Sequence, residues 1–358
     1  MHRYQALLAL ACIILAACAA GGPAAPAPSP APRPLRIYNW DTYIDTDLLV
    51  RFSRETGVPI QYFTYGSNEE MLAAVQDRPD SYDIVVPSDY MVTIMRRKDL
   101  LAPLDAASVP NMANIDPLFV SPSFDPANRY CAPYLWGTHG IGYNRAATGR
   151  DIQSWADLFD PAFAGRVALL DDPRATLGVT LLSLGYSPNT TSPTEIAAAR
   201  DFLAEHAGQI ATYARDNGQD LLASGAVDLA LESSGDIFQK MAGNPDLRYS
   251  IPSEGSLIWI DNMCILKSSP NRASAERFLN FILAPDVGAD LASITRYSSP
   301  NLAALSKISP EDRANPALYP TEQDRRRLFF IVDVGGVATK MYNAAWDSLI
   351  RARTKALP

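Results

Sequence analysis

Apolar runs of strand length alternate with amphipathic segments of helical spacing along the first part of the chain. The runs are rich in β-branched and aromatic residues, which predicts strands at 35–40, 60–64 and 82–87. Asp45 or Thr46 can cap the segment after the first strand and Gly57 ends it, so a helix is expected there. Repeated βαβ units of this kind predict an open α/β sheet with helices on both faces.

The alternation continues through the middle of the chain and gives way to a more helical last hundred residues. Ser67-Asn68-Glu69-Glu70 has the spacing of a capping box that opens a helix. Ser192 and Pro193 predict the start of another helix. A chain of 358 residues is too long for one ordinary core, which favours two lobes. The further predicted strands are 140–144, 166–170, 226–232 and 257–266, and the further helices are 176–185, 193–206 and the stretches SAERFLNFIL and MYNAAWDSLI.

The N-terminus has the pattern of an export signal. A basic head precedes an apolar run at 6–17, which is too short to span a bilayer as a mature helix. Leu15-Ala16-Ala17-Cys18 is typical of the cleavage site of bacterial lipoproteins, so we expect a signal peptide at 1–17 and a lipidated Cys18. The alternative is an ordinary signal peptide with a chance cysteine. Residues 18–34 form an Ala/Pro-rich linker after this point.

Composition narrows the class of ligand. The formal charge of −8 argues against nucleic acid, whose phosphates require clustered Lys and Arg. Three histidines and four cysteines without metal-ligand spacing argue against a metal site, and no cofactor is expected. Cys131 and Cys264 are either a disulfide or two buried small side chains, and their spacing does not decide between them.

Aromatic and carboxylate groups cluster where predicted strands end. The clusters are Trp40-Asp41-Thr42-Tyr43, Ser88-Asp89-Tyr90, and Trp259 with Asp261, and Asp171-Asp172 follows another strand. Aromatic faces attract a cation and cover its methylene groups, and carboxylates give charge-assisted hydrogen bonds to an ammonium. Ligands of open α/β sheets bind beyond the carboxyl ends of the strands. The pattern therefore favours an alkylammonium ligand.

Seven stretches in order resemble the bacterial spermidine/putrescine-binding proteins of polyamine ABC transporters. They are RIYNWDTYI, YDIVVPSDY, PYLWGTHGIGYN, LGYSPNTT, EGSLIWIDN, FLNFILAPDV and SSPNLAAL. The resemblance implies a two-lobed periplasmic-binding-protein fold of type II, with two chain crossings. By this analogy lobe one is 35–137 plus 263–305, and lobe two is 138–262 plus 306–358. It also implies a monomer in the periplasm that delivers its ligand to ABC permease subunits and contacts the membrane only through its lipid anchor.

The resemblance also implies which residues hold the ligand. Trp40, Tyr43, Trp259 and Tyr297 match aromatic walls, and Ser88 and Tyr90 match a hydroxyl pair. Asp172, Asp236 and Asp261 match acidic residues that hold amines, while Asp41 stands where the family usually has Ser or Thr. The implied ligand-binding set is Trp40, Asp41, Tyr43, Ser88, Tyr90, Asp172, Asp236, Trp259, Asp261 and Tyr297.

Departures from the family pattern leave the ligand open. An acid expected after Asp172 is Ala175, a pocket Trp aligns with Ser233, and a Gln aligns with Ile331. Arg215 replaces a small hydroxyl residue. If Arg215 points into the cleft it favours a zwitterionic solute, and if its loop has shifted it is solvated.

An exported hydrolase is the remote alternative to a binding protein. Neither a G-x-S-x-G elbow nor a phosphate-cradling glycine loop is present in the sequence. Asp171 and Asp172 cannot act together from one strand end, since adjacent side chains point apart. We therefore expect a transport-associated binding protein and not an enzyme.

Overall fold

The structure is a computed structural model that describes residues 33–215 and 217–356. The predicted signal peptide, the lipidation site at Cys18 and the linker up to residue 32 lie outside the described residues. Within them the strands are β1 Leu35–Trp40, β2 Ile60–Tyr65, β3 Ile84–Val85, β4 Cys131–Asn144, β5 Val167–Leu170, β6 Ile210–Ala214, β7 Leu229–Ser233, β8 Leu247–Ser250, β9 Ser256–Ile265 and β10 Leu328–Phe330.

Helices occupy most of the remaining chain. The α-helices are α1 Thr46–Thr56, α2 Asn68–Asp77, α3 Asp89–Arg97, α4 Arg145–Thr148, α5 Pro173–Ser183, α6 Pro193–Glu205, α7 Gly218–Ala223, α8 Ser234–Met241, α9 Arg272–Ile282, α10 Pro285–Thr295, α11 Leu302–Leu305, α12 Pro310–Ala314, α13 Glu322–Arg325 and α14 Gly335–Ala356. Short 3₁₀ helices lie at Pro110–Asn114, Pro117–Phe119, Pro126–Asn128, Trp155–Phe159 and Pro161–Phe163.

All ten strands join one mixed sheet. Its order is β2-β1-β3-β9-β4-β7-β5-β6, with β10 beside β9 and β8 beside β4. The outer pairs β1–β2 and β5–β6 are parallel, whereas the long central strands β4 and β9 are antiparallel. Two βαβ halves are thus connected through two long strands, and the predicted α/β class with a two-lobed type II arrangement is confirmed.

Hydrophobic cores cover both faces of each half of the sheet. In the first half, Phe52 of α1 packs with Phe278 of α9 on one face, and Met91 of α3 lies in the core on the other. In the second half, Trp155 and Tyr342 lie in the larger core, and a smaller core covers the opposite face. The residue boundaries of the two lobes stay a prediction.

The predicted helix caps are confirmed where the side chain accepts a hydrogen bond from a backbone N–H group of the first helical turn. The Asp45 carboxylate accepts from the Asp47 backbone N–H, and Gly57 ends α1 with φ of 72°. Ser67 accepts from the Glu70 N–H at 3.1 Å. Glu70 itself accepts from the Gly66 N–H, so the reciprocal half of the predicted capping box is displaced by one residue.

The strand and helix bounds differ from the sequence prediction in several places. The predicted strand 82–87 keeps only Ile84–Val85, because beyond Pro87 the chain pairs with β9 through the single bridge Ser88–Asp261. The predicted strand 140–144 is the end of the 14-residue β4. The helix predicted at 176–185 begins earlier, at Pro173, where Asp172 caps it.

The two cysteines of the described residues form a disulfide. The antiparallel register of β4 and β9 places Cys131 opposite Cys264, and their Cα atoms are 4.3 Å apart. Of the two possibilities that the sequence left open, the structure therefore contains the disulfide. It links the strands that connect the two halves of the sheet.

The part of the chain described here contains no single helix that is long and apolar enough to cross a membrane. One bent pair, α9 and α10, meets at 74° and satisfies the length and composition requirements together. Many apolar side chains of this pair, such as Phe278 and Leu291, are buried in the protein core.

Candidate ligand-binding site

Two of the segments that the sequence singled out, those of Ser88 and Asp261, meet at the seam between β3 and β9. The Ser88 hydroxyl donates to Asp261 Oδ1 at 2.6 Å, and Asn68 holds Ser88 through two hydrogen bonds of 3.1 Å. Asp261 is 5% exposed. Burial raises its pKa from an ordinary 3.8 to about 7, although the hydrogen bond from Ser88 and the nearby Tyr43 hydroxyl favour the ionised form. A carboxylate is thus held in a fixed orientation in a nearly water-free place.

A row of aromatic rings extends from Asp261. Trp259 and Tyr297 meet edge to face with ring centroids 5.2 Å apart, and Tyr297 meets Tyr43 at the same distance. Tyr43 in turn contacts Tyr134, whose hydroxyl donates to the Tyr43 carbonyl at 2.6 Å. The rings fix one another through this edge-to-face packing, so the wall beside Asp261 is rigid.

Trp40 stands at the end of β1 and is half-buried. Its indole N–H donates to the Val86 carbonyl at 3.0 Å, and its ring packs against Tyr65 at 4.7 Å. Tyr65 is close enough to Asp261 for that carboxylate to raise its pKa further, after burial. Trp40 therefore lies on the β1 side of the same region.

Two glycines let the backbone approach the aromatic wall. A Cβ atom on Gly137 would lie 2.7 Å from the Trp259 ring, and one on Gly235 would lie 2.6 Å from the Tyr297 ring. Gly235 belongs to the first turn of α8. The next residue, Asp236, is close enough to Tyr249 for its charge to raise the pKa of that phenol. Ser233 precedes α8, and its side chain makes no cap hydrogen bond.

A second acidic region surrounds Tyr90. The Tyr90 hydroxyl donates to Glu69 Oε1 at 3.1 Å. The pKa of Glu69 is raised by loss of hydration and then by the nearby charge of Asp172. Asp172 also caps α5, accepting from the Arg174 and Ala175 N–H groups at 2.7 and 2.8 Å. Carboxylates from α2 and from the start of α5 thus approach the same phenol.

His139 connects the two acidic regions. Its ring lies 6.4 Å from the Trp259 ring, and Asp172 is near enough to favour its charged form. Burial nevertheless lowers the pKa of His139 to about 4, so the imidazole is neutral at neutral pH. It therefore adds no positive charge to the site.

Asp89 and Glu69 were not among the predicted ligand-binding residues. Asp89 is 2% exposed, and one oxygen accepts from the Tyr90 N–H at 2.7 Å. Burial, with the nearby charge of Asp261, raises its pKa well above the usual range. The signal for Asp89 was its place between Ser88 and Tyr90. Glu69 was missed because its segment was interpreted only as a capping box that opens a helix.

Two predicted residues lie at the surface. Asp41 is exposed and accepts from the Thr42 N–H at 3.0 Å. The Arg215 side chain is 90% exposed, with Nε 3.8 Å from Asp171 Oδ2. Of the two possibilities for Arg215, pointing into the cleft or being solvated, the structure therefore contains the solvated one. Asp171 points away from Asp172 and accepts from the Trp346 indole at 3.2 Å.

Residues 33–215 and 217–356 contain no group of three or more His, Cys, Asp or Glu side chains arranged to hold a metal ion. Within the site, the carboxylates that accept hydrogen bonds from side-chain hydroxyl groups are those of Asp261 and Glu69. Their partners are hydroxyl groups and aromatic rings.

Comparisons with known proteins agree with this geometry. The sequence model of the family described as bacterial extracellular solute-binding protein matches residues 47–320. The chain is 37% identical to the spermidine/putrescine-binding periplasmic protein of Salmonella typhimurium over 322 residues, which are 89% of this chain and 92% of that protein.

Solved structures show the same relationship. The spermidine/putrescine ABC transporter substrate-binding protein PotD of Streptococcus pneumoniae superposes with a TM-score of 0.81 at 35% identity, covering 90% of this chain and 99% of that one. A PotD lipoprotein of Treponema pallidum gives a TM-score of 0.80 at 31% identity, covering 88% and 99%. The expected resemblance is confirmed, as is the prediction of a binding protein instead of an enzyme. The chain belongs to the bacterial extracellular solute-binding protein family.

Proposed function

We propose that this protein captures a polyamine of the putrescine or spermidine type in the cleft between its lobes and delivers it to an ABC permease. The observation that carries the proposal is Asp261, a buried carboxylate held by Ser88 beside the ring of Trp259. The names of the relatives from Salmonella typhimurium and Streptococcus pneumoniae support the same ligand class.

The chemistry of the site suits an alkylammonium. Removing an ammonium from water is costly unless charge-assisted hydrogen bonds replace its hydration, and Asp261 offers such a bond. The Trp259, Tyr297 and Trp40 rings supply apolar area for the methylene chain and about 0.5–2 kcal/mol of cation–π attraction. The Ser88 hydroxyl orients the carboxylate without neutralising it.

A second ammonium would bind between Glu69 and Asp172. The resemblance led us to expect an acid at the position of Ala175, and Glu69 supplies a carboxylate from the α2 side instead. Tyr90 bridges to Glu69, and neutral His139 adds no positive charge to this region. Arg174 lies near Asp172, but its guanidinium donates to the Val332 carbonyl and to Asn189. Two acidic ends joined by an aromatic wall match a molecule with an amine at each end. Asp236 is the further acid of this proposal.

The cellular setting is part of the proposal. We infer that lobe one (35–137 plus 263–305) and lobe two (138–262 plus 306–358) close over the ligand. We also infer that Cys18 carries a lipid that holds a monomer at the periplasmic face of a membrane. The lipobox supports the anchor, and a lipoprotein relative with the same fold is consistent with it.

Calorimetry with purified protein tests the ligand. Putrescine and spermidine are titrated into the protein after ligand is removed by partial unfolding and refolding, and native mass spectrometry records any amine retained from the cell. We expect saturable binding of at least one polyamine, an increase in melting temperature through linkage, and loss of both in Asp261→Ala.

An exposed aspartate on α10 provides the matched control. Asp290→Ala removes the same type of side chain at an exposed position that is not part of the proposed site, and it should leave binding intact. Absence of binding to diamines and triamines alike would contradict the proposal. Equal binding by the Asp261→Ala variant would show that the amine is held elsewhere.

A further inference from the structure

A cavity of about 440 Å³ lies next to Tyr90 and is not accounted for by the two acidic regions. Three segments form its walls: α3, the loop 118–124, and the stretch 330–333 that leads into α14. This volume is within the range of small-molecule sites. The lining residues are Tyr90, Thr93, Arg97, Leu118, Phe119, Pro122, Ser123, Phe124, Phe330, Ile331, Val332 and Asp333.

The cavity adjoins the proposed polyamine site. Tyr90 belongs to both, since its hydroxyl donates to Glu69 and its side chain lines the cavity. Ile331, which stands where the family resemblance led us to expect a Gln, lines the cavity as well. A ligand whose second ammonium lies between Glu69 and Asp172 therefore has this space beside it.

The walls favour an apolar occupant. Phe119, Phe124 and Phe330 supply aromatic surface, and Leu118, Ile331 and Val332 supply aliphatic surface. Arg97 and Asp333 are the charged residues of the lining, and they form an ion pair with each other. Because this pair compensates both charges, the lining offers no spare carboxylate for a third ammonium.

The cavity also joins the two proposed lobes. Arg97 and the loop 118–124 lie in lobe one, whereas 330–333 lie in lobe two, so an apolar group placed here would be covered from both sides. Its burial would add to the free energy that holds the lobes closed around the ligand.

We propose that the preferred ligand is a diamine with an apolar substituent on one nitrogen, an alkyl or arylalkyl group that occupies the cavity beside Tyr90. This proposal rests on the proposed polyamine-binding function and specifies its substrate class. The two ammonium groups are held as described above, and the substituent replaces the polar end of an unsubstituted triamine.

Calorimetric titration with putrescine, N-butylputrescine, N-hexylputrescine and N-benzylputrescine tests the proposal. Each methylene group that becomes buried should lower Kd about fourfold, from roughly 0.8 kcal/mol per group. We expect the butyl compound to bind more than tenfold tighter than putrescine, and the hexyl compound tighter still.

Two cavity-filling variants locate the effect. Thr93→Trp fills the cavity from α3, and Val332→Trp fills it from the opposite wall, where the side chain is already exposed and folding is little affected. In either variant the ratio of the Kd for putrescine to that for N-hexylputrescine should fall to about one. Val337→Trp introduces the same side chain at a residue that is 78% exposed and outside the lining, so it should keep the ratio of the unmodified protein.

The outcomes separate this proposal from the previous one. If putrescine binds and the substituted diamines bind no tighter, the apolar pocket is overturned while polyamine binding stands. If the substituted diamines bind tighter in both filling variants as well, the substituent lies elsewhere and the assignment of the cavity fails. If neither putrescine nor any substituted diamine binds, the polyamine proposal itself fails.

Discussion

Replacing Asp261 by Asn should make the ligand-free protein more stable at pH 8 while removing polyamine binding. The pKa of Asp261 is raised from 3.8 to about 7 because the carboxylate is buried. The folded protein therefore binds more protons than the unfolded chain between about pH 4 and pH 7, and the free energy of unfolding falls as the pH rises through that range. Above the pKa that Asp261 has in the folded protein, the buried carboxylate is ionised and lowers the free energy of unfolding by its full amount.

Its size follows from the pKa difference. A shift of about three units at roughly 1.4 kcal/mol per unit corresponds to roughly 4 kcal/mol. Asn keeps the shape of the side chain and can still accept the Ser88 hydrogen bond, but it carries no charge. The variant should gain at most this amount at pH 8 and little at pH 4, where Asp261 is protonated in the folded chain and about half protonated in the unfolded one.

Urea unfolding of both proteins without ligand, at pH 4 and pH 8, measures the difference. Asp290→Asn is the control, and its unfolding free energy should follow that of the unmodified protein at both pH values. An equal change in Asp261→Asn at the two pH values, or a loss of stability at pH 8, would refute the claim that burial of this charge is destabilising.

The same shift predicts the pH dependence of binding, because an ammonium binds the ionised carboxylate. Polyamine affinity of the unmodified protein should fall about 30-fold between pH 8 and pH 5.5, from a pKa near 7. Calorimetry at the two pH values checks this. Affinity that does not change with pH would place the amine away from Asp261.

Three further predictions test other parts of the structure. Gly137→Ala should weaken polyamine binding more than tenfold in calorimetry, because its Cβ would lie 2.7 Å from the Trp259 ring, whereas Gly208→Ala, with nothing within 4 Å, should not. Replacing Cys131 and Cys264 together by Ala should lower the free energy of unfolding by about 2–5 kcal/mol, measured in urea against the oxidised protein, and an unchanged midpoint would contradict the disulfide. Arg215→Ser should change the Kd for putrescine less than twofold, because its side chain is 90% exposed; a large gain in affinity would instead favour the zwitterionic ligand.

The sequence predicted the elements whose signals are local. β1, α1 and α6 have clear apolar patterns and caps, and they lie within a residue or two of the expected bounds. β4 was predicted only at its end because Pro133 and three glycines weaken its strand pattern. Its pairing with β9 is a long-range contact that overrides that weakness.

The sequence could predict those site residues whose position follows from the pattern of a single strand. Trp259 and Asp261 follow from the alternation along β9, and Ser88 follows from the end of β3. The partners could not be read from local pattern, because Glu69 reaches Tyr90 across 21 residues and Ser88 reaches Asp261 across 173. Such contacts depend on the sheet order, which the pattern of one chain leaves open.

In the proposed function, the absence of a built-in cation beside Asp261 gives the site its preference for cationic solutes. A buried carboxylate is usually paired with Arg or Lys, and among the described residues Asp261 forms no such ion pair. The guanidinium of Arg174 is engaged instead with the Val332 carbonyl, Asn189 and the face of Tyr342. A cation built into the protein would stabilise Asp261 but would also compete with an amine for it. In the proposed function, the cost of burying this charge is therefore the physical source of selectivity, because a cationic solute relieves it and a neutral or anionic solute does not.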